Sequence, residues 1–287
     1  MYDLLISPFL EFSFMRRALI GCLALSLSAA PVGVFLMLRR MSLTGDAMQH
    51  AILPGVALGF LVAGLSVEAM TIGGALAGLA VAFATGVVAR STVLHEDASL
   101  AAFYLISLAF GVLIVSTHGS NVDLIRILFG TVLALNDTAV LLVAGIATVT
   151  LTALAILYRP LVLECVDPTF LRSVSRLSPV AHHGFLVLVV LNLVGGFQAL
   201  GTLMAVGIMI LPATAARFWA EDIGDIIFAA ISIGMVSSVV GLLMSYHLDA
   251  PSGPSIVLTA GALYVVSLLL GPRGVITVRL RRRHLEA

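Results

Sequence analysis

Long apolar runs separated by short polar segments dominate the sequence. A transmembrane helix needs about 20 predominantly apolar residues, and eight runs come close to or exceed that length. They lie at 18–38, 51–67, 69–89, 98–117, 138–158, 184–216, 226–246 and 255–272. Only 10% of the residues are charged, against about a quarter in soluble domains. The pattern predicts an all-α integral membrane protein whose residues 1–287 form a single transmembrane domain.

The run at 184–216 is too long for one membrane crossing. It contains Gly195, Gly196 and Gly201 around Gln198, where two spans could meet in a tight turn or one helix could break. The chain therefore has either eight or nine spans.

The distribution of arginine chooses between these topologies, because cytoplasmic loops are enriched in basic residues. The main clusters are Arg39–Arg40, Arg90, the segment from Arg159 to Arg176, and the tail from Arg279 to Arg283. All four clusters lie on the cytoplasmic side of the membrane only if the run at 184–216 crosses the membrane twice. We therefore favour nine spans with the N-terminus outside, and eight is the alternative.

The first apolar run follows Arg16 and Arg17, as in a signal peptide. It continues for about twenty residues without a cleavage site of small residues, so we expect a retained span. Nine spans place both arginines on the outer side, which is a local exception to the charge rule.

Composition excludes several functions. The formal net charge is zero and no basic face is evident, so nucleic-acid binding is not expected. The chain has no lysine, and a GxxxxGK[ST] nucleotide loop requires one. Cys22 and Cys165 are too far apart for a CxxC site. No feature indicates a permanently bound cofactor or an enzyme active site.

Asp46 and His50 are the strongest candidates for chemistry. They are four residues apart before the second run, so in a helix they share one face. A carboxylate beside an imidazole can ligate zinc, manganese or ferrous iron, and ionisable groups at a membrane helix are functional candidates by default. The alternative is that Asp46 caps the second helix while His50 bonds a nearby carbonyl.

Weaker candidates lie at other helix ends. Asp97 and Asp123 flank the fourth run and are the next choices for a metal pathway. The segment Leu124–Leu135 is too short to cross and is predicted to be interfacial or re-entrant. The stretch from Arg217 to Asp222 would face the cytoplasm, where a short charged helix could dock on a soluble partner or serve only as a solvated connection.

Four blocks of the sequence resemble the permease subunits of manganese, zinc and iron ABC importers. The blocks are Arg39–Asp46 with His50 and Leu53–Ala57; Val122–Leu124 with Ile127–Gly130; Gly201–Met204 with Pro212–Ala216; and Pro251–Leu258. Together they reach across nearly the whole chain. One departure is the segment Asp167–Ser175, where relatives tend to have Ala and Gly after the acidic residue.

The resemblance implies a type II importer bundle in the cytoplasmic (inner) membrane of a bacterium. It implies a homodimer or a related second permease, two ATPase subunits and an extracytoplasmic metal-binding protein. Asp46 and His50 match the metal pathway of the family. The stretch containing Arg217, Phe218, Trp219, Glu221 and Asp222 matches the position that couples to the ATPase.

Two other functions compete with an ATP-driven importer. A secondary transporter driven by an ion gradient would show inverted repeats and acidic residues at mid-membrane in both halves, and neither is evident. An intramembrane metalloprotease would need a motif such as HExxH, which the sequence lacks.

Overall fold

The computed structural model describes residues 6–64, 66–94, 96–118, 135–167, 170–171 and 177–277. Ten helices are defined within these ranges. They are α1 Ser7–Glu11, α2 Ser13–Leu38, α3 Ser42–Ala63, α4 Val67–Ser91, α5 Glu96–His118, α6 Asp137–Val166, α7 Leu177–Leu200, α8 Thr202–Ala216, α9 Ile223–His247 and α10 Ser252–Leu270.

The predicted all-α membrane fold is confirmed. Within the described residues, eight helices are long and apolar enough to cross a membrane, and α8 is a shorter apolar helix of 15 residues. At 1.5 Å per residue α8 is about 22 Å long, less than the roughly 30 Å of a bilayer's hydrocarbon core.

The long run divides at Gly201, as the sequence predicts. Gly201 has a φ of 90°, a conformation that glycine adopts without steric cost. A methyl group on Gly196 would lie 2.6 Å from the Cβ atom of Ala205, so the chain folds back on itself here. Helices α7 and α8 therefore form a hairpin.

Helix α2 is the central element against which this hairpin packs. The side chain of Leu200, at the end of α7, lies against Gly21 near the start of α2. At the other end, Arg39 after α2 contacts His182 near the start of α7. Helix α7 therefore runs antiparallel to α2 along most of its length.

Helix α8 returns parallel to α2. Gly33 of α2 lies against the backbone of Met209, and Val34 packs in one cluster with Ala216 and Ile226. The end of α8 and the start of α9 thus lie at the same end of the bundle as Arg39. The 184–216 run therefore contains two helices, of which α7 is long enough to cross and α8 is shorter, and the nine-span topology stays a prediction.

Arg17, the local exception to the charge rule, is paired in the structure. Its Nε atom lies 2.7 Å from Asp137 Oδ1, and its Nη2 atom donates to Asp137 Oδ2 at 3.3 Å. Two parallel contacts are the favoured geometry of an arginine with a carboxylate. The pair joins the starts of α2 and α6 and neutralises the charge of Arg17.

Glycines allow α3 and α4 to approach each other closely. A methyl group on Gly55 would overlap the carbonyl oxygen of Gly73, and one on Gly73 would overlap that of Gly55. One turn away, Gly59 lies against the backbone of Ala69. Such close backbone contact is typical of membrane helices joined at small residues.

The start of the second span was predicted too late. The expected span is 51–67, whereas α3 begins at Ser42, so the stretch before the apolar run is already helical. A tight turn permits this early start: Arg40 has a φ of 59°, and the N–H of Met41 donates to the carbonyl of Leu36 at 2.8 Å. This is the hydrogen bonding of a helix end whose left-handed residue is usually glycine.

Candidate functional site

Asp46 and His50 both lie in the first three turns of α3, on one face of the helix, as their spacing predicts. The Asp46 side chain is exposed, and its Oδ1 atom accepts a hydrogen bond from Gln49 Nε2 at 2.8 Å. An amide nitrogen can only donate, so Gln49 orients the carboxylate and leaves its other oxygen available to a cation.

His50 is half-buried and is positioned by α5. The ring centroids of His50 and Tyr104 are 6.3 Å apart, and Ser107 Oγ donates to the carbonyl of Ala51 at 2.9 Å. Further along, Gly111 lies against Pro54. Helix α5 therefore packs parallel to α3 beside the candidate site and restricts the orientation of the imidazole.

The capping alternative for Asp46 does not hold. Helix α3 begins at Ser42 with Met41 in the capping position, which places Asp46 inside the helix rather than at its N-terminus. A carboxylate there does not accept the unpaired N–H groups that an N-cap serves. The metal-binding role of Asp46 and His50 stays a prediction.

Among the described residues, the pair has no third ligand of the usual kind nearby. In the part of the chain that the structure describes, no group of three or more His, Cys, Asp or Glu side chains could hold a metal ion. Two ligands from one chain bind a cation weakly, which suits a site through which an ion must pass.

Of the two weaker metal candidates, Asp97 lies among the described residues, and it does not join this site. Asp97 is exposed in the first turn of α5, seven residues and therefore roughly 10 Å along the helix from Tyr104. Asp123 lies outside the described residues, as does the predicted re-entrant segment Leu124–Leu135 apart from its last residue. Both aspartates stay predictions.

The predicted coupling stretch is a hydrogen-bonded turn between α8 and α9 rather than a separate helix. The N–H of Phe218 donates to the carbonyl of Ala215 at 3.1 Å, and that of Trp219 to the carbonyl of Ala216 at 3.0 Å. Arg217, Glu221 and Asp222 are exposed. The turn leaves these charged groups at the surface, at the same end of the bundle as Arg39.

This turn is braced by the end of α10. Trp219 Nε1 donates to Ser267 Oγ at 2.9 Å, although 49% of the tryptophan is exposed. Glu221 forms an ion pair with Arg273, whose N–H donates to the carbonyl of Phe218 at 3.2 Å. The exposed part of Trp219 is thus presented on a fixed support.

Sequence reasoning missed the neighbours of both sites. Gln49 is three residues from Asp46, and this helical spacing could have revealed the contact. Tyr104 and Ser267 belong to other helices, so no local pattern identifies them. Glu164 was also missed because the fifth span was predicted to end at residue 158, whereas α6 continues to Val166.

Comparison with known proteins identifies the class of protein. Residues 11–271 match the family described as the ABC 3 transport family. The manganese import system permease protein ScaB of Streptococcus parasanguinis is 32% identical over 263 residues, covering 92% of each chain. A probable iron transport system membrane protein of Haemophilus influenzae is 31% identical over 269 residues, covering 93% of this chain and 97% of the relative.

A solved structure shows the same architecture. PsaBC from Streptococcus pneumoniae in complex with Fab matches with a TM-score of 0.85 and 31% identity, over 99% of this chain and 100% of that chain. The chain is a multi-pass membrane protein of the ABC-transporter permease class. It belongs to the ABC 3 transport family of metal-ion importer permeases, and the predicted resemblance is confirmed.

Proposed function

We propose that this chain is the membrane-spanning subunit of an ATP-driven importer for a divalent transition metal, with manganese, zinc and iron as the candidates. The observation that carries the proposal is the Asp46 and His50 pair on one face of α3 in a permease of this family. A carboxylate with an imidazole suits all three metals. Relatives named for manganese and iron favour those two.

The full transporter contains several chains. Two permeases, either two copies of this chain or this chain with a related one, pair in the bacterial cytoplasmic membrane. Two ATPase subunits bind on the cytoplasmic face, and an extracytoplasmic metal-binding protein delivers the ion. The exposed Asp46 carboxylate supports a site that a second permease completes with its own pair, because two ligands alone hold a cation weakly.

Transport follows from alternating access. ATP-driven closure of the ATPase subunits moves the permeases between outward-open and inward-open states, and the metal passes Asp46 and His50 as substrate. A site of nitrogen and oxygen ligands favours zinc over manganese or iron by affinity, so selectivity rests with the delivery protein.

The first test of this function is the requirement for ATP. In reconstituted vesicles containing the permease, the ATPase subunits and the binding protein, we expect metal accumulation only when ATP reaches the ATPase side. Vesicles with the permease alone serve as the control. ATP-independent accumulation in those vesicles, driven by an ion gradient, would contradict the proposal and favour a secondary transporter.

The second test addresses the contact with the ATPase. Tryptophan and arginine dominate binding energy at protein interfaces, and Trp219 exposes half of its surface on a braced turn. We expect Trp219→Ala to weaken ATPase binding by about tenfold or more, measured by co-purification and titration in detergent.

Trp219→Phe is the matched variant, because it keeps an aromatic ring while removing the hydrogen bond to Ser267. We expect it to retain most of the binding. Equal losses in both variants would assign Trp219 to bracing of the turn instead of contact with the ATPase.

A further inference from the structure

Glu164 is an acidic side chain buried near the end of α6. It is 3% exposed, and its Oε1 atom accepts a hydrogen bond from Ser178 Oγ of α7 at 3.2 Å. Its Oε2 atom is buried and has no hydrogen-bond partner among the described residues. A buried carboxylate with one weak donor among the described residues is costly, and in a membrane protein such a group is a functional candidate.

Arg39, after the end of α2, is a basic side chain that also lacks one hydrogen-bond partner in the described structure. Its Nη2 atom bonds His182 Nδ1 of α7 at 2.6 Å, and its guanidinium lies 5.2 Å from the ring centroid of Phe185. Its Nη1 atom is buried without a hydrogen-bond partner in the described structure. Because arginine can only donate, His182 accepts with an unprotonated Nδ1 and is neutral.

The two incompletely bonded groups face the same region. Their present partners, Ser178 and His182, are one turn apart on α7. Helix α7 therefore binds the Glu164 carboxylate and the Arg39 guanidinium at positions one turn apart. Each of the two groups is left with an incomplete set of hydrogen bonds among the described residues.

We propose that Arg39 and Glu164 exchange these partners for each other in a second transport state, forming a direct ion pair that joins α2 to α6. In that state Arg39 Nη1 donates a hydrogen bond to Glu164 Oε2, so each of these two atoms gains a partner. The inference rests on the proposed function, since it assigns the exchange to the alternating-access cycle. Glu164 and Arg39 are positioning residues and do not bind the metal.

Arg39 is connected to the candidate metal site through the turn that leads into α3. The chain passes from Arg39 through Arg40, whose φ is 59°, directly into α3 and to Asp46 two turns later. Packed elements with two discrete arrangements carry coupling between distant sites. A change of partner at Arg39 moves the tight turn on which the orientation of α3 depends.

Glu164→Gln tests the proposal, because it removes the charge and preserves an oxygen to accept from Ser178. We expect ATP-driven metal uptake by the full complex to fall about tenfold, as when one member of a buried ion pair is neutralised. Equilibrium metal binding at Asp46 and His50 and assembly with the ATPase should be unchanged.

The combination with Arg39→Gln tests whether the two residues act through each other. We expect the double variant to be no slower than the slower single variant, whereas independent effects would multiply. Wild-type uptake in Glu164→Gln, or multiplied losses in the double variant, would overturn the exchange.

Cross-linking tests the dependence on transport state. In a Cys22→Ala background that keeps Arg39 and Glu164, the native Cys165 and a cysteine at position 38 should react with a short bifunctional thiol reagent at different rates with and without trapped nucleotide. Equal rates would refute a state-dependent contact. If wild-type vesicles transport metal without the ATPase, the proposed function fails instead, whatever the result at Glu164.

Discussion

Metal uptake is expected to fall to the background of ATP-free vesicles when His50 is replaced by alanine. His50 is one of the two proposed ligands, and no cluster of three His, Cys, Asp or Glu residues in the described ranges could compensate for it. The half-buried ring rests against Tyr104, so truncation removes this one contact with α5 and leaves those of Ser107 and Gly111. Uptake of radioactive manganese or zinc into vesicles containing the full complex measures the effect.

His247→Ala is the matched control, since this histidine is exposed at the far end of α9. It should transport at the wild-type rate. Asp46→Asn should behave like His50→Ala, because it removes the charge that attracts the cation while the amide oxygen can still accept from Gln49. Wild-type uptake by the His50→Ala variant, with normal assembly of the complex, would remove His50 from the pathway.

Gly55→Ala is expected to be the most damaging of the conservative glycine substitutions in α3. The added methyl group would overlap the carbonyl oxygen of Gly73, and a backbone atom cannot turn aside as a side chain can. Helices α3 and α4 must then separate, at a cost of about 3 kcal/mol. A lower thermal unfolding temperature and a lower yield of purified protein measure this loss.

Gly145→Ala provides the control for helix propensity. Gly145 is exposed on α6, and among the described residues nothing lies within 4 Å of the position of its added methyl group. We expect unchanged or slightly raised stability, since alanine favours a helix. Similar losses in both variants would show that the contact between Gly55 and Gly73 is not what makes the substitution harmful.

The membrane spans could be predicted because lipid imposes one simple requirement on each helix. A segment must be apolar over its whole length and bond its own backbone groups, and both properties are visible in a local stretch of sequence. The break at Gly201 was also visible, because glycine permits the positive φ found there. The early start of α3 was not, because the polar residues from Ser42 to His50 do not resemble a span.

The candidate metal site could be predicted only within one helix. Asp46 and His50 follow from their spacing along α3, and Gln49 could have been found by the same rule. The ring of Tyr104 against His50 and the bracing of Trp219 by Ser267 join residues far apart in the chain. No periodicity records such contacts, because they depend on which helices become neighbours.

The sequence by itself determined the membrane class, the positions of most helices, the break near Gly201 and the pair of candidate ligands, since each depends on local composition and spacing. The tertiary structure decided which helix faces meet. It places Asp46 inside α3 and not at its N-cap, and it pairs Arg17 with Asp137. It also buries Glu164 against Ser178, one turn along α7 from the His182 that contacts Arg39. Electrostatic and packing energies depend on distance in space, and the chain brings these residues together only when α2, α6 and α7 pack.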